Sequence, residues 1–249
     1  MKKMIKKLSI VTMLLVLVGF VFTGCDNNDE DPEPPNDPTG KSETYTLFEA
    51  GSSGASGTIK FEELLDMSTR ITISLTGAGG DHPAHIHDNS AAEGGGIAID
   101  LTIVDASGKS ITEVSALNNG TKITYNELID FNGYVNVHKS ASELGSLIAQ
   151  GDIGMNALTG NAMEFELFEA KVAGVSGKVT FNERKNGETL VVIELSGTSA
   201  GGDHPAHVHA NTVAEGGGIM VSLNNVDGAT GMSKTNVTKL NDDTAISYS

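Results

Sequence analysis

Residues 79–97 read GGDHPAHIHDNSAAEGGGI, and residues 201–219 read GGDHPAHVHANTVAEGGGI. The two segments are 122 residues apart. A second pair, YTLFEAGSSGASGTIKF at 45–61 and FELFEAKVAGVSGKVTF at 165–181, is offset by 120 residues, and ITY (123–125) against ISY (246–248) by 123. Order and spacing are both kept, so the chain is a duplicated domain, and two copies are too few for a solenoid. Whatever fold one copy adopts, the other must adopt as well.

Each copy reads as short strands between Gly, Asn, Asp and Ser turns. RITISL (70–75) and TLVVIEL (189–195) are rich in β-branched residues, and IAIDLTIV (97–104) alternates, with Ile97, Ile99, Leu101 and Ile103 on one face. The 30 glycines suit a turn-rich all-β chain, and the 5% aromatics and missing Trp leave a core of Val, Ile, Leu and Ala. The expected fold is two tandem antiparallel, Greek-key-like β-sandwich domains at 44–156 and 162–249. SASELGSLIAQ (140–150) has room for one or two helical turns, which the pattern leaves open.

The first 24 residues stand apart. Lys2, Lys3, Lys6 and Lys7 precede an apolar stretch from Leu8 to Phe22, too short for a comfortable membrane span. The stretch closes on Phe22-Thr23-Gly24-Cys25 and resembles a bacterial lipoprotein signal, in which the cysteine is lipidated and becomes the mature N-terminus. Phe22 departs from the Leu usual there. Cys25 is the only cysteine, so no intrachain disulfide can form. Residues 25–43 are acidic and Pro-rich and read as a disordered tether. The acidic run after Cys25 also resembles the surface-export signal of Bacteroidetes lipoproteins. The expected location is the bacterial outer membrane, at the cell surface or in the periplasm. Membrane contact is expected through the lipid anchor only. Loss of residues 1–24 removes four lysines and no acid, moving the net charge from −16 to −20. Such a surface repels nucleic acid.

Six of the seven histidines lie in the duplicated segments, and the seventh is His138. In a strand PAHIH, Ala84 and Ile86 take one face and His85 and His87 the other. In YVNVH (134–138), Val135 and Val137 point inward while Tyr134, Asn136 and His138 point outward. If the two strands are neighbours, His85, His87 and His138 share a face and form a three-imidazole site suited to Cu or Zn. His207 and His209 repeat the pair. His82 and His204 precede prolines and fall on the opposite face of a regular strand, so a bulge would be needed to bring either to the same ion. Asp81 is a candidate acceptor for an imidazole N–H. The EGGG loops lack a following Lys-Ser/Thr and are not phosphate cradles; glycine-permitted turns fit them better. No Ser-His-Asp spacing is present, so nucleophilic catalysis has no support.

HPAHIH (82–87), the Gly-rich stretch into IAIDL (97–101), and NGYVNVHKSASELGSLIAQGDI (132–153) together resemble the CHRD domain, the repeat of chordin that also occurs in microbial secreted proteins. The resemblance covers residues 44–154 and, as an incomplete copy, 164–249. Residues 143–148 depart from the family's Gly-Glu-Ile-Arg-Gly pattern. The AHIH strand is also similar to the His-x-His copper strand of Cu/Zn superoxide dismutases. The bridging His, further zinc ligands, disulfide and active-site Arg of that family have no counterpart here.

Three functions stay open. One is a lipid-anchored, extracytoplasmic binding module for an unidentified protein or small molecule, holding a transition metal through surface histidines. Another is a copper-dependent, dismutase-like redox enzyme. A third is a structural or adhesive surface protein without a cofactor. Tyr125 is followed by the segment that holds His138, whereas its counterpart Tyr248 is followed only by Ser249. The second copy therefore reads as truncated, as in a fragment of a longer protein, and its metal site is expected to be the weaker.

Overall fold

The computed structural model describes residues 36–248. The signal, the lipidated Cys25 and most of the tether lie outside the described residues. The protein is all-β and antiparallel, with one sheet from each copy of the repeat.

The first copy folds as β1 (Pro38–Glu49), β2 (Ser56–Leu64), β3 (Thr69–Thr76), β4 (His82–Asp88), β5 (Ile97–Val104), β6 (Lys109–Val114), α1 (Tyr125–Ile129), β7 (Asn132–His138) and β8 (Leu147–Gly154). The strand order is β5-β4-β7-β8-β1-β2-β3-β6. Its two ends meet: the Thr102 N–H donates to Thr112 Oγ1 at 2.9 Å, and Ser110 Oγ donates to Thr102 O at 2.6 Å. The sheet is therefore nearly closed into a barrel. β4, β5 and β6 follow one another, and β7 returns through α1 to lie on the far side of β4, which is a Greek key. The helix begins with the capping box Thr124–Glu127, and its Tyr125 and Leu128 are buried. Residues 140–146 form a loop rather than helical turns.

Alternation sets the core. Ile71, Ile73 and Leu75 of β3, Ile59 and Phe61 of β2, and Val135 and Val137 of β7 are all buried inside the barrel. β5 breaks the expected pattern. Its pairing with β4 slips twice, between His82/Ala84 and between Ile86/His87, with the extra residue on β5 each time. Each bulge flips the face that follows, so Ala98 and Val104 point inward while Ile97 and Ile103 are exposed. The expected tether also ends early. Pro38 already pairs with Leu64, and residues 38–43 belong to β1.

The second copy contributes β9 (Leu158–Leu167), β10 (Ser176–Arg184), β11 (Thr189–Ser196), β12 (Asp203–His209), β13 (Ile219–Asp227) and β14 (Met232–Val237), in the order β12-β13-β14-β11-β10-β9. β9 starts at Leu158, inside the gap expected between the two domains. These strands correspond to β1–β6, and no strand among the described residues takes the places of β7 and β8. The core reflects this. Tyr45 is 5% exposed, whereas its counterpart Phe165 is 54% exposed. Hydrogen exchange on the full chain is expected to show the β9 and β12 amides exchanging well ahead of those in β1 and β4. Equal protection in the two copies would mean that the open seam costs the second copy nothing.

Candidate metal centre

β4 lies between β5 and β7, with Ala84 opposite Val137, His85 opposite Asn136 and His87 opposite Tyr134. His138 is thus the diagonal neighbour of His85 on the same sheet face, within reach of a long side chain. His85 and His87 are two residues apart on one strand. The three imidazoles converge, each offering a ring nitrogen, with all these atoms within 4.8 Å of one another. The ring centroids of His85 and His138 are 5.0 Å apart, and those of His85 and His87 are 6.0 Å apart.

The surroundings assign the protons. His138 Nδ1–H donates to Leu144 O at 2.6 Å, and His87 Nδ1–H donates to Gly95 O at 3.0 Å. A carbonyl can only accept, so the proton of each neutral ring sits on Nδ1 and leaves Nε2 with the lone pair. His87 Nε2 is buried and makes no hydrogen bond. His85 Nδ1 lies 3.0 Å from His138 Nε2 and donates to it when no ion is present. Its other nitrogen, Nε2, is 3.6 Å from Asp100 Oδ1, so the carboxylate favours a proton there once Nδ1 gives its own up. Burial holds the His85 and His138 imidazoles below their ordinary pKa, and each is lowered further by a neighbouring histidine. Neutral imidazole is the form that binds a metal.

The histidines are not on the surface. The expected outward face is roofed by two loops, leaving His87 and His138 buried and His85 half-buried. Loop 139–146 supplies Leu144 O. Loop 89–96 supplies Gly95 O, and the Gly95 N–H donates to the hydroxyl of Tyr134, whose ring stacks on His87 at 4.8 Å. Gly95 is required by close approach: a Cβ there would lie 1.9 Å from Asp88 O. Strand periodicity carries no information about such lids. Tyr134, which reads in sequence as ordinary sheet surface, is part of the site. Asp100 is reached by pairing the two strands, since it lies opposite His85.

His82 is separate from the ion-facing cluster. Its Nδ1–H is shared between His138 O at 3.1 Å and Lys139 O at 2.9 Å, which pins the end of β7. The Nδ1–H groups of His82, His87 and His138 find backbone carbonyls rather than Asp81.

In the second copy, His207 and His209 keep the geometry of the first pair, with ring centroids 6.1 Å apart, and His209 Nδ1–H donates to Gly217 O. Both are exposed, and no third imidazole joins them among the described residues. His204 is half-buried, with Nε2 making no hydrogen bond.

Comparison with protein-family models, curated proteins and solved structures returns no match to this chain. No helix among the described residues is long and apolar enough to cross a membrane.

Proposed function

We propose that the chain is a CHRD-type, lipid-anchored extracytoplasmic binding module whose first copy holds a divalent copper or zinc ion. The observation that carries the reading is the buried Nε2 of His87, an acceptor without a hydrogen bond, aimed where His85 Nδ1 and His138 Nε2 also converge. Three imidazole nitrogens, two of them on rings whose N–H groups are fixed by carbonyls, suit borderline metals, and copper(II) is expected to bind more tightly than zinc(II). The rival, a copper-dependent redox enzyme, needs the same three ligands, and a superoxide assay on copper-loaded protein separates the two.

The direct test is titration calorimetry of the full mature chain with each ion. One tight site per chain is expected. The ligands must be neutral, so binding is expected to weaken as pH falls below about 6.5, the ordinary imidazole value. Because His85 and His138 are held below that value when folded, the unfolded chain takes up protons first, and stability of the metal-free protein falls in the same direction. Because those two values are depressed in the folded protein, the weakening is expected below the ordinary imidazole range, and affinity that stays flat from about pH 7.5 down to about pH 4.5 would count against imidazole ligation. The anchor is tested separately: Cys25→Ala is expected to release the protein from membranes into aqueous buffer, and retention would reject lipidation.

A further inference from the structure

The turn between β2 and β3 and the turn between β10 and β11 are the same element in the two copies, and their side chains have diverged. The second copy carries Lys185 and Gly187 there. Lys185 pairs with Glu43 at 2.6 Å and its N–H donates to Ala157 O, so that turn serves the join between the copies. The first copy carries Leu65 and Met67 instead, and they are 66% and 73% exposed. Met67 has a φ of +70°, in the left-handed region, where Gly187 has +83°. Glycine takes that conformation freely and methionine does not. The first copy thus holds, against a backbone cost, an apolar side chain that its core does not use.

This turn lies where the chain enters the barrel. The Leu65 N–H donates to Asp37 O at 3.1 Å, the Asp66 N–H to Asn36 Oδ1 at 3.3 Å, and Arg70 Nη2 to Asn36 O at 3.2 Å. Asn36 is eleven positions after Cys25, so chain length keeps the turn within about 40 Å of that sulfur. The second copy leaves the turn uncovered. It meets β1 at Glu43, and the space between the copies is walled by Thr44, Thr46, Phe48 and Lys234, away from Pro38 and the turn that pairs with it. The remaining N–H groups are also satisfied within the protein: Leu64 to Ser68 O, Met67 to Leu64 O, and Ser68 to Asp66 Oδ1. Backbone that enters an apolar environment has to meet that condition.

We propose that Leu65 and Met67 dip into the interface of the bilayer to which Cys25 is anchored, so that the first copy meets the membrane through this turn. The proposal rests on the lipid-anchor reading and adds a protein contact to the lipid. A convex tip of two apolar side chains suits a fluid interface, which needs no complementary groove. Two side chains are too few to hold a soluble chain alone, so release of the Cys25→Ala protein is still expected. The mature chain carries a net charge of −20, which favours a zwitterionic lipid surface over an anionic one.

Cys25 is the only cysteine and the chain has no Trp, so both can be used as unique handles. The mature chain is alkylated at Cys25 with one fourteen-carbon chain, which alone gives marginal, reversible binding, and is mixed with phosphatidylcholine vesicles. Leu65→Ser/Met67→Gly is expected to lower partitioning about tenfold. Its melting temperature is expected to hold, because Leu65 is exposed and glycine suits the φ at position 67. Leu65→Trp is expected to be quenched by brominated lipid chains, and Val213→Trp, at an exposed position of the second copy, is not. Equal partitioning of the double variant and the parent overturns the contact, as does a Leu65→Trp that lipid does not quench. Dimers in buffer with Leu65→Trp already shielded overturn it too, since they give the turn to a second copy of the chain. Mass spectrometry of the native chain taken from membranes tests the anchor separately: an unmodified Cys25 rejects the anchor reading, and the contact in the cell with it.

Discussion

The paired substitution His85→Ala/His87→Ala is expected to lower the affinity of the first copy for copper(II) by far more than a hundredfold. Losing only a partner that orients a ligand costs about 10–100-fold, and this change removes two of the three ligands themselves. His138→Ala leaves the pair on β4 and is expected to cost less, with residual binding like that of His207 and His209, which lack a third imidazole among the described residues. His82→Ala separates support from ligation. Its ring clamps the carbonyls of His138 and Lys139, so a drop of about 10–100-fold is expected without loss of the site. Stability provides an independent readout. His87→Ala removes a buried ring that donates to Gly95 O and stacks on Tyr134, so the metal-free variant is expected to melt below the parent, and the rise in melting temperature on adding metal disappears. Unchanged calorimetric affinity in the paired variant would sink the site.

Legibility of this centre in the sequence followed from periodicity. HIH and YVNVH each place histidine on the face opposite small or β-branched apolar residues, and the structure joins those faces by pairing β4 with β7. Periodicity failed where a strand bulges. Two extra residues in β5 exchange the expected inward pair Ile97 and Ile103 for Ala98 and Val104, and nothing in IAIDLTIV marks where the slip occurs. It failed again for burial, because the lids over the histidines come from loops 89–96 and 139–146. The α1 capping box, Thr124 and Glu127, was present in the sequence but spans only one short turn of helix. That no strand among the described residues stands where β7 and β8 stand in the first copy was legible because the first copy serves as a ruler for the second. The ruler also marks a residue that composition hides: Arg184 stands where the first copy has the buried Leu64.

Asp152→Ala is expected to destabilise the protein by about 3–5 kcal/mol, the cost of leaving a buried charge without its partner. The Arg184 side chain is fully buried, and its Nη1 donates to Asp152 Oδ2 at 2.8 Å and to Asn156 O. This is a contact between the two copies: Asp152 belongs to β8 and Arg184 ends β10. The backbone beside it is tied as well, with the N–H groups of Lys185 and Asn186 donating to Ala157 O and Met155 O. Removing the carboxylate therefore strands a guanidinium that cannot move easily to water. Asp152 also has a second duty. Its Oδ1 accepts the Ala91 N–H at 2.8 Å and so holds the loop whose Gly95 carbonyl orients His87. The variant should therefore bind metal more weakly as well as unfold at lower denaturant. Arg184→Leu restores the residue found in the first copy, and in the double variant no guanidinium is left unpaired. Asp152→Ala/Arg184→Leu is therefore expected to be more stable than Asp152→Ala alone, while its metal affinity stays low because the Ala91 tether is still missing. Urea melts of the two single variants and the double variant, read as a mutant cycle, decide the matter. A loss below about 1 kcal/mol for Asp152→Ala, the range of a solvent-screened pair, would show that Arg184 finds water or another acceptor and that the join between the copies does not depend on this charge.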